Sequence, residues 1–169
     1  MLRHLLLLRH GKSDWSADYR VDRERPLAPR GVKAAKRMGR FLTAVDLAPD
    51  VVVSSPAVRA LTTAELAAEA GEWGCEIRVE DRLYGCGGNA VVEVVRALGI
   101  EGEAVLIAGH EPVWSSLVGG LTGGSHVRFP TAALACLSLQ APSWADLDWG
   151  RATLQWLVTP KLLRRSGFD

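Results

Sequence analysis

The chain has 169 residues, 48% of them hydrophobic and 23% charged, which suits one globular domain spanning residues 1–169 and excludes collagen-like, disordered and membrane-spanning classes. Its three cysteines, Cys75, Cys86 and Cys136, are odd in number and form no CxxC pair, which argues against a disulfide framework or a cysteine-bound zinc and suits a reducing cytoplasm. The net charge of +1 is unevenly spread, at +6 over residues 1–60, −8 over 61–150 and +3 over 151–169, with no basic run dense enough for nucleic acid.

Leu5–Leu8 is too brief for the apolar core of a signal peptide and runs into Arg9-His10 with no small-residue cleavage site, so it reads as a buried first strand. Val32, Ala35, Met38, Leu42 and Val45 recur every three or four residues, the spacing of an amphipathic helix. Val51–Ser54 is a second strand, followed by an alanine-rich helix over Ala57–Ala70, with Ser55 to cap it and Pro56 at its first position. Ile77–Val79 and Ala104–Ala108 are further strands, expected like the first two to be buried on both faces. Asn89–Leu98 and Val113–Leu121 are helical. After Gly123-Gly124, Ala132–Leu139 and Thr153–Val158 read as strands, and Trp144, Trp149 and Trp156 are expected to cover the sheet edge. This order predicts an α/β fold, a three-layer α/β/α sandwich whose mostly parallel central sheet has an antiparallel edge strand.

Three segments put polar residues directly after a buried strand: Arg9-His10-Gly11-Lys12-Ser13, Ser54-Ser55-Pro56-Ala57-Val58-Arg59 and Gly109-His110-Glu111-Pro112. The carboxyl ends of parallel strands border the crevice where α/β sheets bind ligands, so two arginines and two histidines share one edge. Such a cluster repels itself unless an anion joins it, and guanidinium forks fit phosphate. No HExxH, GxxxxGK[ST] or GxGxxG pattern is present, and Cys86 sits in a Gly-rich stretch without arginine. Imidazole remains as nucleophile: His10 would take the phosphoryl group, while Arg9, Arg59 and His110 hold its oxygens, with no metal and no cofactor.

At these residues the chain resembles the histidine phosphatase superfamily. Arg9 to Ser16 follow its RHGxSxWN pattern, with Ser16 where Asn is usual; Ser55, Arg59 and Thr63 match S-x-x-x-R-x-x-x-T, and Gly109-His110 matches its second histidine. Arg25-Pro26-Leu27, Arg82-Leu83-Tyr84-Gly85, Gly109 to Pro112 and Thr131 to Ala135 resemble the SixA-type phosphohistidine phosphatases. The resemblance implies a phosphoglycerate-mutase-like fold, a phosphoryl acceptor at His10, and a phosphate pocket completed by Arg9, Arg59 and His110.

Mutase-like members carry a glutamate acid in an L-x-E segment; here Asp81-Arg82-Leu83-Tyr84-Gly85 has none after Leu83. Glu111 is one replacement acid, as an acid follows the second histidine in the acid-phosphatase branch, or it is a helix-start residue; Asp81 is another candidate. Ser16 either adds a hydroxyl to the substrate pocket or caps its loop. An alcohol needs an acid to leave, whereas imidazole departs neutral, so phosphohistidine on a protein is the expected substrate. A broad phosphomonoesterase and a non-catalytic phosphoprotein-binding module are the alternatives, and no membrane partner is expected. The sequence is silent on oligomeric state.

Overall fold

The computed structural model describes residues 2–169 and is built on one six-stranded sheet. Its strands are β1 (Leu2–Arg9), β2 (Val51–Ser54), β3 (Glu76–Val79), β4 (Ala104–Gly109), β5 (Leu134–Gln140) and β6 (Thr153–Val158). They lie in the order β3-β2-β4-β1-β5-β6. The β1, β2, β3 and β4 pairings are parallel, while β5 runs antiparallel to both β1 and β6, giving the expected parallel sheet with an antiparallel edge. Helices α1 (Pro29–Ala44), α2 (Val58–Gly71), α3 (Gly88–Arg96), α4 (Val113–Leu121) and α5 (Pro160–Arg165) cover it.

The unbroken apolar runs follow from this layering. Leu5, Leu7, Val53, Val105 and Ile107 face one core with Val92 and Val95 of α3 and Leu117 and Leu121 of α4. Their neighbours Leu6, Leu8, Val52 and Leu106 face the other, with Met38 and Leu42 of α1, Ala64 and Ala67 of α2 and Leu163 of α5. Successive strand residues point to opposite faces, so a strand between two helical layers must be apolar at every position. Helices α1 and α2 approach closely because Gly39 lies against the backbone of Ala67, where a Cβ would overlap the Ala67 carbonyl.

Three expectations need correction. Ile77–Val79 is not buried on both faces: β3 is the sheet edge, and its Glu76 and Val79 are exposed. Pro56 does not open α2, whose first helical residue is Val58; the Ser55 hydroxyl accepts from the Ala57 N–H at 3.3 Å and turns toward His110. Of the late tryptophans only Trp156 stands at the β6 edge, where it meets Phe41 of α1. Trp144 is buried and donates to the Gly102 carbonyl at 2.8 Å, and Trp149 packs over Gly120 of α4. Among the described residues no helix is long and apolar enough to cross a membrane.

Candidate active site

Strand register assembles the site. Arg9 of β1 pairs with Gly109 of β4, so the next residues, His10 and His110, emerge side by side with ring centroids 5.3 Å apart. Ser54 of β2 pairs with Ala108, which brings Ser55 beside the same edge. Arg59 follows in the first turn of α2 and is buried. Gly11 is required by closeness: a Cβ there would lie 2.8 Å from the Gly31 carbonyl of α1. The Gly11 N–H donates to Thr63 Oγ1 at 2.9 Å, and that hydroxyl donates to the Arg59 carbonyl at 2.6 Å, pinning the loop after β1 to α2. Beyond it the chain folds back through a Ser13–Leu27 bridge before α1 begins.

These elements enclose a cavity of about 610 Å³ lined by Arg9, His10, Arg59, His110 and Glu111, together with Lys12, Ser13, Trp15, Asp22, Arg25, Tyr84, Gly85 and Thr131. Hydrogen bonds assign the imidazole protons. His10 Nδ1 lies 2.7 Å from the Gly11 carbonyl, which can only accept, so Nδ1 carries the proton and Nε2 keeps its lone pair. His110 Nε2 lies 2.8 Å from Ser55 Oγ. The Ser55 hydroxyl is fully buried and, among the described residues, has no other acceptor for its own proton, so it donates to Nε2, and His110 carries its proton on Nδ1.

Asp22 is the hub of the charged groups. Its Oδ2 accepts from Arg59 Nη2 at 2.9 Å and Tyr84 Oη at 3.0 Å, its Oδ1 accepts from Arg25 Nη1 at 2.7 Å, and its carbonyl accepts from Arg59 Nη1 at 2.8 Å. Burial acts to raise the Asp22 carboxyl, but the Arg59 and Tyr84 hydrogen bonds and the charges of Arg59 and Arg25 outweigh it and hold it below the usual carboxylate range. Arg9 donates to the Phe129 carbonyl at 2.8 Å. The Nε atoms of Arg9 and Arg59 are buried without partners, as are those of Arg3 and Arg37 elsewhere; only the first two line a common cavity. Buried donors of this kind are costly until an acceptor arrives.

Both histidines are held neutral. Burial pulls His10 down to about 3, opposed by its bond to Gly11 and assisted by the charges of His110, Arg59 and Arg9. His110 falls to about 4, through burial and then Arg59. The unfolded chain takes up these two protons near pH ~6.5 whereas the folded protein resists until about pH 3 to 4, so stability falls as pH drops through that window. Melting temperature should therefore decline from pH 7 to pH 4, and His110→Gln should flatten the decline; an unchanged slope would contradict the assignment.

Of the residues singled out by sequence, Arg9, His10, Arg59, His110 and Glu111 meet in the cavity and Ser16 does not. The Ser16 hydroxyl donates to Asp14 Oδ1 at 2.6 Å on an exposed loop, because Asp14 is the nearer acceptor. Asp81 is exposed and pairs with Arg23 at 3.3 Å, outside the cavity lining. Glu111 lines the cavity but its Oε1 accepts the Ser115 N–H of α4 at 2.7 Å. Asp22 had no sequence signal of a site role, whereas Trp15, Arg25, Tyr84 and Thr131 lie in the RHGxSxWN, Arg-Pro-Leu, Leu-Tyr-Gly and Thr131 to Ala135 segments already noted. Among the described residues no group of three or more His, Cys, Asp or Glu side chains could hold a metal ion.

Residues 5–87 match the model of the histidine phosphatase superfamily (branch 1). The chain is 29% identical over 159 residues to the phosphohistidine phosphatase SixA of Escherichia coli K12, covering 92% of this chain and 93% of that one. A solved structure from Nakamurella multipartitia, assigned as a phosphohistidine phosphatase SixA, superposes with a TM-score of 0.80 at 30% identity, covering 95% of this chain and 97% of that chain. The protein histidine phosphatase SixA complexed with tungstate superposes with a TM-score of 0.81 at 26% identity, covering 95% and 99%.

Proposed function

The chain belongs to the histidine phosphatase superfamily, and we propose that this phosphatase removes the phosphoryl group from phosphohistidine on a protein, through a covalent intermediate on His10 and without a metal. His10 Nε2 attacks phosphorus as the P–N bond to the substrate imidazole breaks and the electron pair passes to that ring. A substrate ring protonated on its second nitrogen then departs neutral. His10, keeping its Nδ1 proton on the Gly11 carbonyl, becomes a phosphorylated imidazolium. Water attacks that phosphorus, and His10 leaves as the neutral imidazole it was at the start, releasing phosphate. Arg9, Arg59 and the Nδ1–H of His110 hold the oxygens, so most of the rate comes from positioning and charge stabilisation.

The observation that carries the substrate assignment is the commitment of the two carboxylates lining the cavity. Asp22 is held ionised by Arg59, Arg25 and Tyr84, and Glu111 accepts from Ser115. An alkyl phosphate needs a proton from such a group to expel its alcohol; a phosphohistidine does not. Phosphate release from a phosphohistidine-bearing protein should therefore exceed that from ethyl phosphate by on the order of 10² in kcat/KM, the low end of what a general acid supplies. Faster turnover of the ethyl ester would replace this reading with a broad phosphomonoesterase in which Glu111 releases Ser115 and serves as the acid. The three unpaired cysteines accord with a reducing cytoplasmic setting.

A further inference from the structure

The mouth of the cavity carries an aromatic surface that the phosphoryl chemistry leaves unused. Trp15 lines the cavity yet is 66% exposed, more than any other large hydrophobic residue described. It is also anchored. The Arg25 guanidinium lies 3.6 Å from the centroid of its indole ring, and Arg25 is itself buried and fixed by Ser13 Oγ at 3.0 Å and Asp22 Oδ1 at 2.7 Å. One face of the indole is thus occupied by a cation held from below, and the other is open to solvent at the entrance. Tyr84, the other large aromatic lining the cavity, is committed, its hydroxyl to Asp22 and its ring to a T-shaped contact with His110.

Resting on the phosphatase reading, we propose that Trp15 is the specificity-determining platform for the leaving group, taking a flat ring such as imidazole or phenyl against its open face while the phosphoryl group sits among Arg9, His10, Arg59 and His110. The anchoring of the indole favours this occupant. An indole immobilised by Arg25 has little rotamer freedom left to lose, so a stacked ring is bound with less ordering cost than on a free surface tryptophan. Offset stacking of two rings then adds affinity beyond the area buried, which an alkyl leaving group of similar size does not gain.

Calorimetric titration with phenylphosphonate and methylphosphonate, neither of which can be hydrolysed, tests the platform without depending on turnover. The wild-type protein should bind the phenyl compound about tenfold more tightly than the methyl one, the upper range of a stacking contribution plus burial. Trp15→Ala should bring that ratio to within about twofold of unity, and Trp15→Phe, which keeps a ring of the same kind, should retain most of it. A wild-type protein with no preference or no binding, or a preference unaltered in Trp15→Ala, overturns the proposal. Failure of the phosphohistidine reading shows separately, as faster hydrolysis of ethyl phosphate by the wild-type protein, and leaves the phosphonate ratio to decide the role of Trp15.

Discussion

His10→Ala should yield no acid-labile phosphoenzyme and lose on the order of 10⁴-fold or more in kcat, the scale on which removal of a nucleophile acts when its partners remain in place. The expectation rests on the tautomer. With Nδ1 bonded to Gly11, only Nε2 has a lone pair to offer, and burial keeps that lone pair free of a proton at neutral pH. No neighbour is equipped to substitute, since the Nε2 of His110 is bonded to Ser55 and its Nδ1 carries a proton. The fold should survive, because the backbone of residue 10 is fixed independently, by its N–H to Gly109 and its carbonyl to Ala132. The measurement is incubation with a phosphohistidine-bearing protein, an acid-lability assay on the chain and phosphate release over time. Turnover persisting within tenfold of wild type would exclude His10 as the phosphoryl acceptor.

The sandwich was readable because strands buried on two faces are apolar at every position, while α1 shows its one-sided periodicity plainly. The reading failed at β3, where four residues at the sheet edge look no different from a short buried run. It also did not include α5, whose six residues are too few to show a period. The convergence of Arg9, His10, Arg59 and His110 on one cavity follows from strand order, which the alternation of elements implies. The closeness of the two histidines does not, since it depends on Arg9 pairing with Gly109 rather than with a neighbour. Asp22 was out of reach for a different reason. It meets Arg59, 37 positions later, only because the loop after β1 folds back through the Ser13–Leu27 bridge, and such a path leaves no periodic trace. Ser16 was a candidate by its place in the RHGxSxWN stretch and Asp81 by its place beside the L-x-E position, and in each case a nearer partner, Asp14 or Arg23, takes the side chain.

Arg59→Ala should lower kcat/KM on the order of 10³-fold, more than the loss of one neutral hydrogen-bond donor, because it removes a full positive charge facing substrate and leaves Asp22 less compensated. In the intact site Arg59 spans the Asp22 carbonyl and Oδ2 with its two terminal nitrogens and keeps a buried Nε unpartnered, so one guanidinium both neutralises a carboxylate and has a donor to spare. Without it, Asp22 retains Arg25 and Tyr84 but faces an incoming dianion with less compensation, and two like charges within a few ångströms are strongly unfavourable where water is scarce. The double variant Arg59→Ala/Asp22→Asn should therefore be about tenfold more active than Arg59→Ala alone, a non-additivity expected only of directly coupled groups. Arg59→Lys keeps the charge and loses the two-point grip on Asp22, so it should fall between wild type and Arg59→Ala. Steady-state kinetics on these four proteins and on Asp22→Asn alone, with vanadate inhibition as a measure of anion affinity independent of turnover, reads out the coupling. If removing the Asp22 charge brings no recovery, repulsion is not what disables the single variant, and Asp22 acts only by orienting the arginines.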